Sequence, residues 1–595
     1  MTTDTVTIRR LTLHVAEPPR AGAGRDEWLS AARPRFERLA NEINWRPAGC
    51  HARQVWLLRR LDLPPQPVGG DERRWIAAVE SQLAECFRRA VRVGPNTPPD
   101  AVANADSLLF EDRAVWLALL TADTVAGRVW SRWPWQAALP EGAGRHRGAL
   151  LAAVWSRFAE FLPAALDALP AAQSWQAVAL LTPAEVGRVV GALHERFDLP
   201  RDVFGDIIPD GPAGEDAPPA PWARWSPPGG LTPRAHYLHG LTLGLARAPA
   251  VARSAAFARA AAGWLGRALA EPRPAPGPLP EPLAVPVDLR PASPRRADSP
   301  SLALHLPDAS PAPAADGPPA ARPPAPRPAM EQSESPATGD SQAAIDRGAP
   351  AFATQLGGVL FLINALAWLD LPRAAGEHVG GWGWVELLAR ALLGHAPPDP
   401  IWDALRQLDG RDAGQLIGAG WTPDEFHLSP RTVRRYLAGE WRAAAGEGRL
   451  VVARGEVIVS DSPLAGPAAP PDIAAALRPY VTDDLPRWTY AAAPTAVPPV
   501  ANLSSVAADG ARWWLARAMP ALRQLLRRGL GDATLGEGDI VRRILWRPGR
   551  LEITRSHVDL FLPLDAADVA LRRAGLDLDP GWSPDYGHII LFHYE

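Results

Sequence analysis

The chain has 595 residues, of which 47% are hydrophobic and 21% charged, and its formal net charge is −3. This length predicts several domains, and the apolar fraction is sufficient to bury a core over most of the sequence. All 62 basic residues are arginine, which excludes a lysine-dependent phosphate loop and any Schiff-base enzyme. The only cysteines are Cys50 and Cys86, so a disulfide scaffold and a cysteine-rich zinc module are excluded as well.

The chain is predicted to begin with a small β-α-β-α module over residues 1–95. Residues 5–15 alternate apolar and polar side chains, as half-buried strands do, and residues 54–63 are predicted to form a second strand that Pro64 and Pro65 end. Asp26 and Asp71 stand where they can cap the helix that follows each strand.

A helical domain is predicted over residues 96–270. Its helices are expected at 108–133, 147–169, 174–197 and 235–270. Between Glu271 and Asp340 the composition changes, because 20 of the 66 prolines and none of the 24 tryptophans lie there. A segment so poor in large apolar groups cannot offset the entropy lost on ordering, so residues 271–347 are predicted to be a disordered, Pro/Ala-rich linker.

A second helical domain is predicted over 348–445 and a mixed α/β domain over 446–595. Helices are expected at 352–369, 382–394, 399–408, 430–444, 505–529 and 565–573. A hairpin is expected at 449–460, and further strands at 540–546, 550–562 and 587–593. The predicted fold class is therefore α+β and predominantly α-helical. Two folded halves, each with a small β-sheet, are expected on either side of the linker.

The location of the protein is predicted from its apolar segments. The first residues show no charged stretch followed by an apolar run, so we expect no secretory signal. The longest apolar run, Leu356 to Leu369, is shorter than the roughly 20 residues of a membrane span and predicts a buried helix. We therefore expect a cytoplasmic protein of bacterial type that makes no contact with membranes.

Two histidine patterns are candidates for chemistry. His236 and His239 are three residues apart on a predicted helix, but no acidic third ligand follows, and we predict neither a metal site nor a cofactor. His557 and Asp559 lie on one face of a predicted strand, where a carboxylate can orient an imidazole. Because no nucleophile motif accompanies them, a structural pair is favoured, and a hydrolase that uses His557 and Asp559 remains an alternative.

Arginines are concentrated between Ala511 and Arg555, where ten of them face four acidic residues. Such an excess would suit nucleic acid, bound through guanidinium–phosphate pairs. Since arginine is the only cation in this slightly acidic chain, a solvated face or a protein interface is favoured. Nucleic-acid binding through residues 511–555 is a second alternative.

The last 40 residues contain the most specific pattern of the chain. It consists of His557–Leu564, Arg572–Trp582 and Ile589–Tyr594. Gly575 is placed to end a helix in the left-handed conformation, and two aspartates that follow can accept bonds from amides or pair with arginines. The residues predicted to shape this segment or to dock a partner are His557, Asp559, Arg572, Arg573, Gly575, Asp577, Asp579, Trp582 and His593.

This ending resembles that of proteins encoded with phage-tail-like contractile injection systems. The opening, with Ile8–Leu13 and Leu58–Leu63, is similar to the start of tape-measure proteins of those clusters. The resemblance implies a non-enzymatic assembly or structural component, with tube, sheath or baseplate proteins as partners. Because a length ruler needs one long helix and no sustained heptad run is present, we expect a cap or baseplate-associated factor.

Overall fold

A computed structural model describes most of the chain outside its proline-rich middle. The described residues are 25–63, 71–94, 97–138, 146–199, 220–223, 231–270, 351–369, 378–420, 425–427, 449–453, 456–460, 488–491, 500–532 and 534–595. Residues 1–272 and 345–595 belong to one compact unit. The α+β, mainly helical class is confirmed, but the arrangement of two separate halves is not, because residues before and after the middle segment pack against each other.

The N-terminal part, residues 25–270, is mostly helical. Its elements are α1 (Arg25–Glu42), β1 (Val55–Leu58), α2 (Glu72–Arg88), β2 (Val91–Val93), α3 (Pro99–Asn104), β3 (Ser107–Phe110), α4 (Arg113–Val125), α5 (Trp133–Ala138), α6 (Arg147–Arg157), α7 (Leu162–Ala168), α8 (Ala171–Ala179), α9 (Pro183–Phe197), α10 (Pro233–Arg247), α11 (Pro249–Ala252) and α12 (Ala255–Ala270). The strands form a sheet in the order β1-β3-β2, in which β1 is antiparallel and β2 parallel to β3.

The C-terminal part, residues 351–595, mixes helices and strands. Its elements are β4 (Ala351–Thr354), a 3-10 helix (Gly357–Phe361), α13 (Leu362–Leu369), α14 (Gly381–Leu393), α15 (Ile401–Leu408), β5 (Glu425–His427), β6 (Arg449–Ala453), β7 (Glu456–Ser460), β8 (Trp488–Ala491), a 3-10 helix (Ala501–Leu503), α16 (Asp509–Gly529), α17 (Glu537–Ile544), β9 (Gly549–Ile553), β10 (His557–Leu562), a 3-10 helix (Leu564–Ala566), α18 (Val569–Ala574), β11 (Gly581–Ser583) and β12 (His588–Tyr594). A five-stranded sheet has the order β11-β12-β10-β9-β4, and a four-stranded sheet has the order β5-β8-β7-β6.

Several helices begin where the sequence provides a cap. The Asp71 side chain accepts hydrogen bonds from the first free amides of α2, as predicted. Thr182 and Glu185 form a reciprocal capping box at the start of α9, and Pro183 occupies its first position. These contacts satisfy amides that have no partner inside the helix, so the local sequence fixes where each helix starts.

Three predicted elements have the wrong secondary structure, and four others are divided: the helices expected at 147–169, 174–197 and 235–270 are each two or three shorter helices, and the strand expected at 550–562 is the antiparallel pair β9 and β10. The helix expected at 108–133 is the strand β3 followed by α4, because Asp112 caps a new helix after the buried residues 107–110. The strand expected at 540–546 is the helix α17, in which Ile540 and Ile544, one turn apart, are both buried.

The single buried helix expected at 352–369 is instead β4, a 3-10 turn and α13. A Cβ atom on Gly358 would lie 1.7 Å from the Ile544 carbonyl oxygen, so the turn depends on close backbone contact that only glycine allows. The run is nonetheless buried as predicted, and within the described ranges no helix combines the length and apolarity needed to cross a membrane.

The hairpin predicted at 449–460 is confirmed by the antiparallel pairing of β6 with β7. Three predictions lie outside the described residues: the strand at 5–15, the linker at 271–347 and the helix at 430–444.

Apolar side chains of the described residues form three buried clusters. The largest two fill the N-terminal helical part and the C-terminal part, and a small one packs α1 and α2 against β1. Trp582 and Ile589 of the C-terminal sheet pack against the N-terminal cluster. Apolar contact therefore crosses between the two parts.

Candidate functional site

The two parts of the chain meet at a buried arginine. Arg53, just before β1, is 6% exposed and donates to Asp559 of β10 at 2.6 Å and to Glu552 of β9. The two carboxylates are direct cross-strand partners in the five-stranded sheet. Like charges that face each other across a sheet destabilise it, so the guanidinium of Arg53 supplies the charge that this pair of strands requires.

The second partner of Asp559 is His593 on the neighbouring strand β12. His593 Nε2 lies 2.8 Å from Asp559 Oδ1, and its ring stacks on Phe561 with 4.6 Å between centroids. Burial acts to raise the pKa of Asp559, but the hydrogen bond at His593 and the interaction with Arg53 outweigh it and hold that pKa below its usual value. Asp559 is therefore a buried, ion-paired carboxylate.

The ring of His557 does not share the partners of Asp559. Its Nδ1 is 2.9 Å from Ser556 Oγ, and its ring stacks on Phe161 of the N-terminal part, 6.2 Å between centroids. Burial lowers the pKa of His557 to about 4, against the opposing fields of Asp112 and Asp559. The structure thus brings Asp559 together with Arg53 and His593, whereas the hydrogen-bond partner of His557 is Ser556.

These contacts bear on the hydrolase alternative. A general base needs an accessible nitrogen within reach of the substrate proton, with its other nitrogen oriented by a carboxylate. His557 is only 5% exposed and Ser556 only 1%. Both oxygens of Asp559 are engaged by Arg53 and His593. The cluster therefore favours a structural role for His557 and Asp559.

The turn residues of the C-terminal pattern hold its shape. Gly575 ends α18 with φ of 72°, and its amide donates to the Arg572 carbonyl, as a left-handed helix exit does. Asp579 accepts from the Phe592 amide at 2.7 Å. Both contacts are of the kind that the sequence predicts for this segment.

Asp577 is buried and accepts a hydrogen bond from the Tyr594 hydroxyl at 2.9 Å. It also forms an ion pair with Arg572 Nε at 3.1 Å, and the Arg572 guanidinium lies 5.5 Å from the Tyr594 ring centre. Arg573, the next residue, faces solvent. Of the two arginines predicted to act in this segment, Arg572 is therefore ion-paired, whereas Arg573 forms no ion pair with a described residue.

Trp582 docks inside the chain itself. Its ring meets Phe197 edge to face at 5.1 Å, and its Nε1 donates to the Arg196 carbonyl at 3.4 Å. The Arg196 guanidinium lies 5.5 Å from the indole centre. A residue predicted to present a docking surface therefore fastens the C-terminal sheet to the end of α9.

A cleft of about 2030 Å³ lies beside these contacts, and both parts of the chain line it. Its charged lining residues are largely paired with each other: Asp167 pairs with Arg247 and Arg555, and Asp409 pairs with Arg411. Burial raises the pKa of Asp409, although the charge of Arg411 opposes the shift. The walls of the cleft therefore carry charged side chains among apolar ones, and much of that charge is engaged in ion pairs that hold the walls in place.

Seven of the ten arginines of residues 511–555 form ion pairs with described residues. Described partners in the chain are Asp509 for Arg512, Glu537 for Arg523, Asp539 for Arg542, Asp568 for Arg543 and Arg547, Glu552 and Glu595 for Arg550, and Asp167 for Arg555. Several of these acids lie outside the segment in the sequence. The local positive excess is therefore reduced by residues that a count over 511–555 leaves out.

His236 and His239 lie in an aromatic cluster. The ring centroids of His236 and Trp264 are 5.1 Å apart, and His239 Nε2 is 3.1 Å from Ser174 Oγ. Burial lowers the pKa of both histidines, that of His239 to about 4. Across the part of the chain that the structure describes, no group of three or more histidine, cysteine or acidic side chains is arranged to hold a metal ion.

Sequence reasoning did not single out Arg53, Glu552 or Asp585. Asp585 accepts from Arg253, and this pair is a further contact between the two parts. Nothing in the spacing of these residues identifies them, because their partners are hundreds of positions away. Glu552 offers the one available signal, as an acid within a predicted strand.

Comparison of the chain with protein-family models, with curated proteins and with solved structures finds no match.

Proposed function

We propose that this protein is a non-enzymatic assembly or structural component of a phage-tail-like contractile injection particle, made in the cytoplasm. The proposal starts from the C-terminal pattern and its resemblance to proteins of those clusters. Tube, sheath or baseplate proteins are the proposed partners. Within that class, a cap or baseplate-associated factor related to tape-measure proteins fits best.

The observation that supports the proposal most is that residues of the C-terminal pattern form contacts within the chain itself. Asp559, Asp577 and Trp582 each hold strands, turns or the two chain parts together. Such contacts build a rigid body with a defined surface. Catalysis would instead need a nucleophile, a base and charge-stabilising donors converging on one accessible point.

The cleft supports docking of a polypeptide more than of a metabolite. Its volume of about 2030 Å³ exceeds the roughly 300–1,000 Å³ of ordinary small-molecule pockets. A cleft of this size with ion-paired walls suits a protein segment, for which shape and backbone contacts supply the recognition.

Helix length argues for a compact component over a ruler. Among the described helices the longest, α16, has 21 residues, which corresponds to about 32 Å. A ruler would copy its length from one continuous helix, whereas these helices are short and packed around cores.

The test is to tag the chain in its native host and to isolate contractile particles by sedimentation. We expect the chain to co-purify with sheath, tube or baseplate proteins, and its deletion to reduce or alter the particles. Trp582→Ala, which loosens the junction, should lower recovery, whereas Trp546→Ala, at an exposed position, is the matched control. A monomer that is absent from particles and dispensable for their assembly would refute the proposal.

The two alternatives have simple tests of their own. Unchanged biological activity of a His557→Gln variant that folds normally would eliminate the hydrolase. Nucleic-acid binding predicts a mobility shift that weakens steeply with salt, and the ion pairs formed by seven of the ten arginines of 511–555 disfavour it.

A further inference from the structure

The five-stranded sheet ends at β4, and one side of this strand is open. β4 pairs with β9 through residues 351–354, and no strand that the structure describes pairs with its other side. Such an edge presents a row of backbone N–H and C=O groups without partners. β4 contains neither a charged side chain nor a proline, two of the features that protect natural edges, and Ala351 and Ala353 are exposed. The edge of β4 can therefore accept a further strand.

The end of the open strand is fixed to the start of α15. Asp399, just before that helix, accepts a hydrogen bond from Thr354 Oγ1 at 2.7 Å and one from the Gln355 amide at 2.9 Å. It also accepts from the Ile401 amide, in the first turn of α15. These bonds hold the strand end and the helix start next to each other.

β4 and α15 line the same cleft, the one of about 2030 Å³ described above. Ala351 and Phe352 contribute from the strand, and Asp403, Ala404 and Gln407 contribute from one face of the helix. We call these five residues the β4 groove. A molecule bound there meets an open strand on one element and a helix face on the other.

The exposed charges on the α15 side of the groove are acidic. The Asp403 side chain is 79% exposed, and its ion pair with Arg406 of the same helix spans 3.5 Å. Asp412, which also lines the cleft, is exposed and forms no ion pair with a residue that the structure describes. Arg411, by contrast, is buried and held by Asp409 at 2.6 Å. The groove therefore combines free backbone groups with negative charge.

We infer that the β4 groove binds an extended, basic segment of a partner protein, which adds to the open edge of β4 as a further strand of the sheet. In strand addition, main-chain hydrogen bonds supply affinity and alternate side chains supply specificity. An apolar side chain of the segment would pack on the half-buried Phe352, and a basic one would pair with Asp403. A second copy of this chain would bring the same acids to the groove and be repelled. A metabolite has no row of backbone groups to pair with β4.

The inference deepens the proposed function and rests on it for the source of the segment, which would be a tube, sheath or baseplate protein. Binding of a peptide by the purified chain needs no particle, so the two proposals can fail separately. Association with particles without peptide binding would overturn only this inference. Peptide binding by a chain that is absent from particles would overturn only the proposed function.

The first experiment titrates a short fluorescent peptide, in which valine alternates with arginine, into the full-length protein at low salt. Fluorescence anisotropy should show saturable binding. The same peptide with glutamate in place of arginine should bind at least about tenfold more weakly, because it places like charges beside Asp403. A peptide methylated on every backbone amide keeps its charges but cannot donate to a strand edge, and it should lose at least about tenfold as well. Absence of binding, or equal binding of the methylated peptide, would overturn the inference.

A charge reversal tests the site itself. Asp403→Arg should weaken binding of the arginine peptide by at least about tenfold and strengthen binding of the glutamate peptide. Asp539→Arg is the matched control, because Asp539 also lies in the first turn of an eight-residue helix and pairs with an arginine three residues later, but outside the cleft lining. This control should bind as the unmodified chain does, and an unchanged melting temperature verifies that both variants fold.

Hydrogen exchange then locates the bound peptide. Saturation with the arginine peptide should slow exchange of the amides of β4 by at least about tenfold, and it should leave β11, the other edge strand of the sheet, unchanged. Three results would overturn the inference: protection of β11 instead of β4, protection of β4 that depends on protein concentration without peptide, or an Asp403→Arg variant that binds as the unmodified chain does.

Discussion

The junction around Arg53 and the surface of residues 511–555 use the same pair of groups, arginine and carboxylate, in opposite environments. At the junction, Arg53 and Asp559 have side chains only 5% and 3% exposed. On the surface, Arg523 and Glu537 form a pair at 3.0 Å with side chains 30% and 55% exposed. The geometry of the two pairs is similar, and their burial is not.

The difference in burial decides what each pair contributes. An exposed pair exchanges one well-solvated state for another, so it adds little to stability. A buried pair is costly to desolvate, but removal of one partner leaves an uncompensated charge away from water. Substitutions at the junction therefore test whether the N-terminal and C-terminal parts form one body or are only loosely joined.

The largest expected effect comes from Arg53→Met. This change leaves Asp559 and Glu552 buried, facing each other, without their shared cation. We expect a loss of about 3–5 kcal/mol in the free energy of unfolding, measured by urea denaturation. Arg523→Met is the matched surface control, for which the loss should stay below about 1 kcal/mol. Equal losses for the two variants would mean that the buried pair contributes no more to the free energy of unfolding than the exposed pair.

The next largest effect is a pH dependence of the free energy of unfolding that His557 causes. Its pKa is lowered to about 4 in the folded protein from an ordinary 6.5. The unfolded chain therefore binds a proton at this residue below pH 6.5, while the folded chain stays neutral there until about pH 4. Stability should fall as pH drops through this window, by up to roughly 3 kcal/mol from this group.

His557→Gln should flatten that slope, measured as the unfolding midpoint between pH 6.5 and 4.5. His239→Gln, in the N-terminal core, removes a second histidine whose pKa is also lowered to about 4 and should flatten it further. A slope that is the same in the unmodified chain and in both variants would show that these histidines titrate alike in the folded and unfolded chains.

A smaller effect is expected from Trp582→Ala. Its indole packs against Phe197, and its loss removes apolar and edge-to-face contact between the two chain parts. We expect about 2 kcal/mol of destabilisation because the ring is only partly buried. Trp546→Ala removes an exposed indole and should cost less than about 1 kcal/mol. The comparison fails if thermal unfolding shows the reverse order.

The smallest expected changes in stability come from alanine substitutions at two glycines, which should differ in sign. Gly575→Ala forces a side chain into φ of 72° and should cost about 1 kcal/mol. Gly538 lies in α17 with no atom within 4 Å of an added Cβ, so Gly538→Ala should be neutral or stabilising by up to about 1 kcal/mol. Chemical denaturation of the two variants gives the sign of each change.

Local features of the fold could be predicted from the sequence where a single residue decides them. Asp71 caps α2, and Gly575 ends α18, because both roles depend on neighbours within a few positions. The run from Leu356 was misassigned as one helix, because its shape depends on contact of Gly358 with a carbonyl far along the chain.

The contacts of the candidate site were even harder to predict, because they join residues that are far apart in the sequence. Asp559 could be selected as a strand residue beside a histidine, but its true partners are Arg53, 506 positions earlier, and His593 on another strand. The period of a strand gives the face on which a side chain lies, and it does not give the strand or the part of the chain that faces it. Contacts between the two parts were therefore beyond reach of the sequence pattern.

The central claim is that the residues before and after the proline-rich middle form one body. It is tested most directly by inserting a protease site between residues 273 and 344, cutting the folded full-length protein there and measuring its size by gel filtration. We predict that the two fragments elute together at the size of the uncut chain, since buried ion pairs and Trp582 hold them. Elution as two separate folded fragments would contradict the account.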